Sequence, residues 1–97
     1  MTPADEIKQK LQQQKLLLIK EYGVKDIGLF GSLVTGSANA SSDIDILVDF
    51  SKPIDLFAFV DLKHHLSDLL NAEIDLVMRN GLKPGIGKRI LAEVEYI

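Results

Sequence analysis

In the segment from residue 43 to residue 50, Asp-Ile-Asp-Ile-Leu-Val-Asp-Phe, every second residue is apolar and the residues between them are aspartates except Leu47. Successive side chains of a β-strand point to opposite faces of the sheet, so this alternation predicts a strand with one buried face. The buried face carries Ile44, Ile46 and Val48, and the other carries Asp43, Asp45, Leu47 and Asp49. Asp43 and Asp45 are two residues apart, which places both carboxylates on the same side. Asp49 lies near the strand end, and we expect it to be exposed.

Caps, periodicity and turn residues predict the elements around this strand. They are a helix from Thr2 to about Tyr22 that stops at Gly23, a strand over 26–30, a short helix after Gly31–Ser32, a helix over 55–71, a strand over 73–78 and a final helix from Pro84. Val94 to Ile97 is predicted to end the chain as an apolar tail. The result is an α/β fold in which helices back a mixed sheet of three to four strands.

The size and composition of the chain limit the class of protein. With 97 residues the chain is expected to form one domain over residues 1–97, and without cysteine it has no disulfides or thiolate metal sites. A net charge of −3 disfavours general binding to nucleic acid, which usually requires a basic surface. No apolar run approaches the ~20 residues of a membrane span, and the first residues lack the pattern of a signal peptide. We therefore expect a cytoplasmic protein.

The aspartates are candidates for a metal site. Asp43 and Asp45 repel each other when both are charged, and a divalent cation removes that conflict. Asp75 can add a third carboxylate from a neighbouring strand. Oxygen ligands without imidazole or thiolate suit Mg²⁺, and three carboxylates can hold two such ions ~4 Å apart. Solvated aspartates on an exposed strand are the alternative for the Asp-x-Asp alone, but the regular strand and the matching Asp75 favour the metal site.

The Gly31–Ser32 turn is a candidate phosphate site. It follows the predicted strand that ends in Phe30, and glycine lets the backbone approach a phosphate closely. The Ser32 hydroxyl and the amides after it, at the start of a short helix, would form an anion site. A plain turn is the alternative. The segment also imitates a P-loop, but Ser37 stands where the required lysine would be, which excludes that motif.

Taken together, these motifs resemble a known family. Leu-Phe-Gly-Ser at 29–32, Asp-Ile-Asp-Ile-Leu-Val from residue 43 and Glu-Ile-Asp-Leu-Val at 73–77 resemble the minimal nucleotidyltransferases of the DNA polymerase β-like superfamily, over nearly the whole chain. The resemblance implies the small nucleotidyltransferase fold, a catalytic metal triad of Asp43, Asp45 and Asp75, and a triphosphate held by Gly31 and Ser32. Small stand-alone members are typically antitoxins encoded beside a HEPN-domain ribonuclease toxin. Some transfer AMP from ATP, with Mg²⁺, to a tyrosine of that toxin, and this is the expected function.

The sequence also departs from the family pattern. Many relatives carry arginines shortly after Gly-Ser, whereas this chain has Leu33 and Thr35 at those positions. The loss of two positive charges is expected to weaken binding of the triphosphate or the acceptor. Two alternatives therefore stay open: a non-catalytic antitoxin that acts by binding its toxin, and a nucleotidyltransferase acting on RNA or a small molecule.

Helical geometry over 55–71 singles out one aromatic residue. At about 100° per residue, the apolar residues of this helix fall within one broad arc. They are Leu56, Ala58, Phe59, Val60, Leu62, Leu66, Leu69 and Leu70. Phe57 falls on the opposite side, among Asp61 and His64. Three interpretations stay open: Phe57 is one of the single exposed apolar residues that are common on protein surfaces, the loop around Lys52 and Pro53 covers its ring, or Phe57 is an anchor for a partner protein.

Overall fold

The computed structural model of the chain describes residues 3–31, 34 and 44–97. Within these residues the elements are α1 (Pro3–Tyr22), β1 (Val24–Phe30), β2 (Ile44–Phe50), α2 (Leu56–Leu70), β3 (Ile74–Met78), a 3-10 turn (Arg79–Gly81), α3 (Pro84–Glu93) and β4 (Glu95–Tyr96). The strand order is β3-β2-β1-β4, with β2 parallel to β3 and antiparallel to β1, and β4 antiparallel to β1. The predicted α/β fold with a mixed sheet is confirmed.

Local signals fix the helix ends. Gly23 takes a left-handed conformation (φ 69°) directly after α1, and its amide donates to the carbonyl of Ile19 at 3.1 Å. Asp55 caps α2 by accepting a hydrogen bond from the amide of Ala58 at 2.8 Å. Both ends lie where the sequence predicts them. The short helix predicted after Gly31 falls mostly outside the described residues. None of the described helices is long and apolar enough to cross a membrane.

Helices cover both faces of the sheet. α1 and α2 pack on one face and bury the residues of β2 predicted for the core: Ile44, Ile46 and Val48. On the other face, Ile90 of α3 packs with Phe30 and Leu47, and Leu47 is fully buried. α3 therefore covers the middle of the face that also carries Asp45.

The prediction that Asp49 is exposed is wrong. Only 14% of its side chain is exposed, and its Oδ2 lies 3.8 Å from Nη1 of Arg79. Arg79 begins the 3-10 turn after β3, so this pair joins the ends of two neighbouring strands. Asp49 is partly covered because its face of the sheet packs against other parts of the chain, which the alternating pattern alone does not show. It lies near the end of β2 that is remote from Asp45.

The predicted apolar tail is a strand. β4 pairs with β1 through Gly28 opposite Tyr96 and Leu29 opposite Glu95. A β-carbon on Gly28 would lie 2.8 Å from both the Glu95 carbonyl oxygen and Cγ2 of Val94, so the close approach of β4 depends on this glycine. The Ile97 amide donates to the Ile27 carbonyl at 2.9 Å and extends the contact.

α2 differs from its predicted apolar arc in its first turns. Leu62, Leu66 and Leu70 are buried, at the spacing of one narrow stripe against the sheet. Leu56 and Val60, which the arc includes, are exposed because the strip that contacts the core is narrower than the arc. Phe57 is 82% exposed, so the loop before α2 does not cover its ring, while an isolated exposed residue and a partner anchor both stay open.

Candidate active site

Three of the predicted functional residues, Gly31, Asp45 and Asp75, lie at one end of the sheet, where strands end or begin. β1 ends there and β2 and β3 begin there, because β2 is antiparallel to β1 and parallel to β3. Asp45, the second residue of β2, lies opposite Phe30 of β1 on one side and opposite Asp75 of β3 on the other. Gly31 follows Phe30 directly. The fold therefore brings the Gly31 turn, Asp45 and Asp75 together from segments far apart in sequence.

Asp45 and Asp75 form a carboxylate pair on one face. They are direct partners in the parallel ladder, so their backbones are about 4.8 Å apart and their side chains leave the sheet on the same side. Asp45 is half-buried and Asp75 is exposed. Two negative charges at this spacing repel each other, and a divalent cation would turn that repulsion into attraction. An oxygen-only donor set fits Mg²⁺.

Gly31 leaves space beside the turn for the side chain of Asp45. Its φ of 77° is left-handed, which disfavours residues with a side chain. A β-carbon here would also lie 2.9 Å from Cγ of Asp45 and closer still to Oδ2. The Gly31 carbonyl accepts a hydrogen bond from the Val34 amide at 3.1 Å. The absence of a side chain at Gly31 thus leaves room for the carboxylate of Asp45.

Two of the predicted site residues lie outside the described residues. They are Ser32 and Asp43, and their roles as phosphate and metal ligands stay predictions. Across residues 3–31, 34 and 44–97, no group of three acidic, histidine or cysteine side chains gathers at the spacing of a metal site. The described part of the site therefore supplies two carboxylates, and the predicted third would come from Asp43.

Sequence reasoning missed Glu93. This residue ends α3, and its Oε1 accepts a hydrogen bond from the Gly31 amide at 3.2 Å. One signal could have indicated it: an acidic residue at the last position of a helix lies against the negative end of the helix dipole, where acidic residues are disfavoured. An acidic residue at such a position is therefore expected to have a hydrogen-bond or ion-pair partner elsewhere in the chain.

The sequence as a whole matches a known protein family and a named relative. Residues 5–97 match the sequence model of a family described as polymerase beta, nucleotidyltransferase. The chain is 44% identical over 97 residues to the protein adenylyltransferase MntA of Thermococcus cleftensis, which covers 100% of this chain and 98% of that protein. Both matches extend over the end of the sheet described above.

Solved structures have the same fold. A candidate minimal nucleotidyltransferase aligns with a TM-score of 0.79 at 29% identity, over 98% of this chain and 95% of that chain. A chain from the complex of a tri-AMPylated Shewanella oneidensis HEPN toxin with an MNT antitoxin aligns with a TM-score of 0.64 at 22% identity, over 91% of this chain and 69% of that chain. At that identity the second likeness concerns the fold alone. Taken with the match over residues 5–97, these results place the chain in the polymerase beta nucleotidyltransferase family.

Proposed function

We propose that this protein is an antitoxin that transfers AMP from ATP, with Mg²⁺, to a tyrosine of a cognate HEPN ribonuclease toxin and so neutralises it. One observation carries the proposal: Asp45 and Asp75 are paired beside the Gly31 turn, in a chain that is 44% identical to a protein adenylyltransferase. The AMPylated toxin in the Shewanella complex supports the choice of acceptor. We place the protein in the cytoplasm, where ATP and a ribonuclease's RNA substrates are available.

The chemistry is a substitution at phosphorus. The tyrosine oxygen bonds to the α-phosphorus of ATP, the bond from that phosphorus to the bridging oxygen breaks, and pyrophosphate leaves. The phenolic proton passes to a carboxylate of the cluster, and Asp75 is exposed to an approaching acceptor. The Gly31–Ser32 turn holds the triphosphate so that the leaving group points away from the tyrosine.

Asp43, Asp45 and Asp75 would hold the Mg²⁺ ions. When bound, Mg²⁺ neutralises the triphosphate charge and activates the attacking oxygen. The half-buried carboxylate of Asp45, fixed against Gly31, is the best positioned of the described ligands because both neighbouring strands constrain it.

A second function is favoured by one specific observation. Leu33 and Thr35 replace the arginines of many relatives, so the turn has less positive charge for ATP. An antitoxin that neutralises its toxin by binding alone would tolerate that loss. The carboxylate pair favours catalysis, because binding alone does not require two repelling aspartates side by side.

The test is direct. The purified protein is mixed with its cognate HEPN toxin, ATP and Mg²⁺, and the intact mass of the toxin is measured. We expect the toxin to gain the mass of one or more AMP groups, with modified tyrosine found by peptide mapping, and the Asp45→Asn variant to add far less in the same time. Neutralisation of the ribonuclease without any mass gain would favour the binding-only antitoxin instead.

A further inference from the structure

Glu93, the last residue of α3, is hydrogen-bonded to Gly31 of the phosphate turn, the predicted phosphate-binding segment Gly31–Ser32. Oε1 of Glu93 lies 3.2 Å from the nitrogen of Gly31, 62 positions away in sequence. The bond is partly buried, which strengthens it relative to a bond in water. It joins the end of α3 to the residue that follows β1.

The local surroundings of Glu93 do not favour an acidic residue. The carbonyl end of a helix carries partial negative charge, and α3 has no basic residue in its last turn to offset it. Asp45 also lies against Gly31, so a second negative charge is held near the first. The helix dipole and the nearby Asp45 both disfavour a negative charge at Glu93, and its hydrogen bond to Gly31 is the described contact that offsets them.

The direction of the Gly31 peptide determines how the turn faces a nucleotide. Glycine has the widest choice of backbone angles, and Gly31 must hold a left-handed one (φ 77°). An acceptor fixed on its N–H removes much of that freedom before any ligand binds. Asp45 packs against the same residue, so movement of Gly31 would also displace a predicted metal ligand.

We propose that Glu93 is a positioning residue for nucleotidyl transfer. Its hydrogen bond to the Gly31 amide fixes the position of the phosphate turn relative to Asp45. Glu93 acts through Gly31 and does not itself contact ATP. This inference rests on the proposed function, since it assigns Glu93 a part in the same site.

The alternative is a bond that only adds stability, and the chain contains one for comparison. Lys8 Nζ lies 2.7 Å from Oε1 of Glu95, two residues beyond Glu93, and joins α1 to β4 at an exposed position. Glu95→Ala therefore removes an acidic side chain and a long-range contact from the same region without touching the site. It is the matched control for Glu93→Ala.

The experiment compares Glu93→Gln, Glu93→Ala and Glu95→Ala in the full chain, with melting temperature recorded for each. The first measurement is hydrogen exchange at the Gly31 amide without ATP or toxin. Loss of a charge-assisted hydrogen bond is expected to speed exchange about tenfold in Glu93→Ala. Glu93→Gln keeps an acceptor oxygen, so exchange stays within about threefold of the wild type, and Glu95→Ala leaves it unchanged.

The second measurement is AMP transfer, separated into kcat and KM for ATP. Misplacement of the turn is expected to lower kcat about tenfold or more in Glu93→Ala, while Glu93→Gln restores it and Glu95→Ala retains it. Equal kcat in Glu93→Ala and the wild type would overturn the positioning role, as would a Glu93→Gln variant as slow as Glu93→Ala. If the wild type transfers no AMP, the proposed function is wrong. If hydrogen exchange at the Gly31 amide is the same in Glu93→Ala as in the wild type, Glu93 does not fix the turn, whatever the outcome for AMP transfer.

Discussion

Gly31 and Asp45 occupy a space that admits only one side chain. A β-carbon on Gly31 would lie 2.9 Å from Cγ of Asp45, a distance that real β-carbons do not tolerate. Asp45 is held on its other side by β3, where Asp75 is its direct partner. A side chain at Gly31 would therefore have to push Asp45 out of the pair or distort the turn.

Gly31→Ala is expected to abolish most AMP transfer for this reason. The left-handed φ alone destabilises an alanine by about 1–2 kcal/mol, and the contact with Asp45 adds a loss specific to the site. Gly23→Ala is the matched control, because Gly23 has a similar φ of 69° but its β-carbon would meet only Ser51 Oγ at 3.9 Å. Denaturant unfolding should show a loss of stability in both variants, with transfer lost in Gly31→Ala only. Equal transfer rates in the two folded variants would contradict the steric argument.

Asp43→Asn and Asp45→Asn test the metal site. Each removes a negative ligand at constant size, so Mg²⁺-dependent ATP binding should weaken and transfer should fall on the order of a hundredfold or more. Relief of the repulsion between Asp45 and Asp75 should raise the metal-free stability of Asp45→Asn by about 0.2–1 kcal/mol. Asp68→Asn, on the exposed side of α2, should change neither property. Wild-type transfer in both site variants would exclude the proposed site.

Ser32→Ala tests the phosphate turn. The Ser32 hydroxyl is predicted to donate to phosphate and not to the core, so its loss should reduce ATP affinity and transfer more than stability. Ser51→Ala is the control, since the Ser51 hydroxyl donates to the Gly23 carbonyl at 3.1 Å, away from the site. Calorimetric titration with ATP and Mg²⁺ measures the difference. Equal ATP affinity in Ser32→Ala and the wild type would count against a triphosphate at this turn.

Features set by local chemistry could be predicted from the sequence. The alternation of β2 gave the correct faces, Gly23 gave the end of α1, and Asp55 gave the start of α2, because each depends on a few neighbouring residues. The approach of Asp75 to Asp45 could also be predicted, since both strands carry the same alternation on their shared face.

Features set by contacts between distant segments could not be predicted. β4 has two residues, too few for a strand pattern, and depends on the space beside Gly28. The partial burial of Asp49 depends on how its face of the sheet is covered. The bond from Glu93 to Gly31 depends on where α3 ends in space, and only the unfavourable position of Glu93 in its helix indicates it.

The last prediction concerns Phe57 as an anchor for the toxin. The ring is 82% exposed, and Leu56 and Val60, which belong to the apolar arc in the same first turns of α2, are also exposed. α2 begins beyond the end of β2, and Phe50 lies five positions after Asp45 along the strand, a distance of about 17 Å. A toxin held at Phe57 must therefore reach along the sheet to bring its tyrosine to Asp45.

Phe57→Glu should accordingly separate partner binding from catalysis. Loss of a central aromatic contact is expected to weaken toxin binding by about 2 kcal/mol or more, while melting temperature and ATP affinity stay at wild-type values. Transfer should fall through a higher KM for the toxin, with kcat retained at saturation. Leu16→Glu, at an equally exposed residue of α1, is the control and should bind normally. Normal toxin binding by Phe57→Glu would exclude the anchor, and loss of folding would show that Phe57 supports the core despite its exposure.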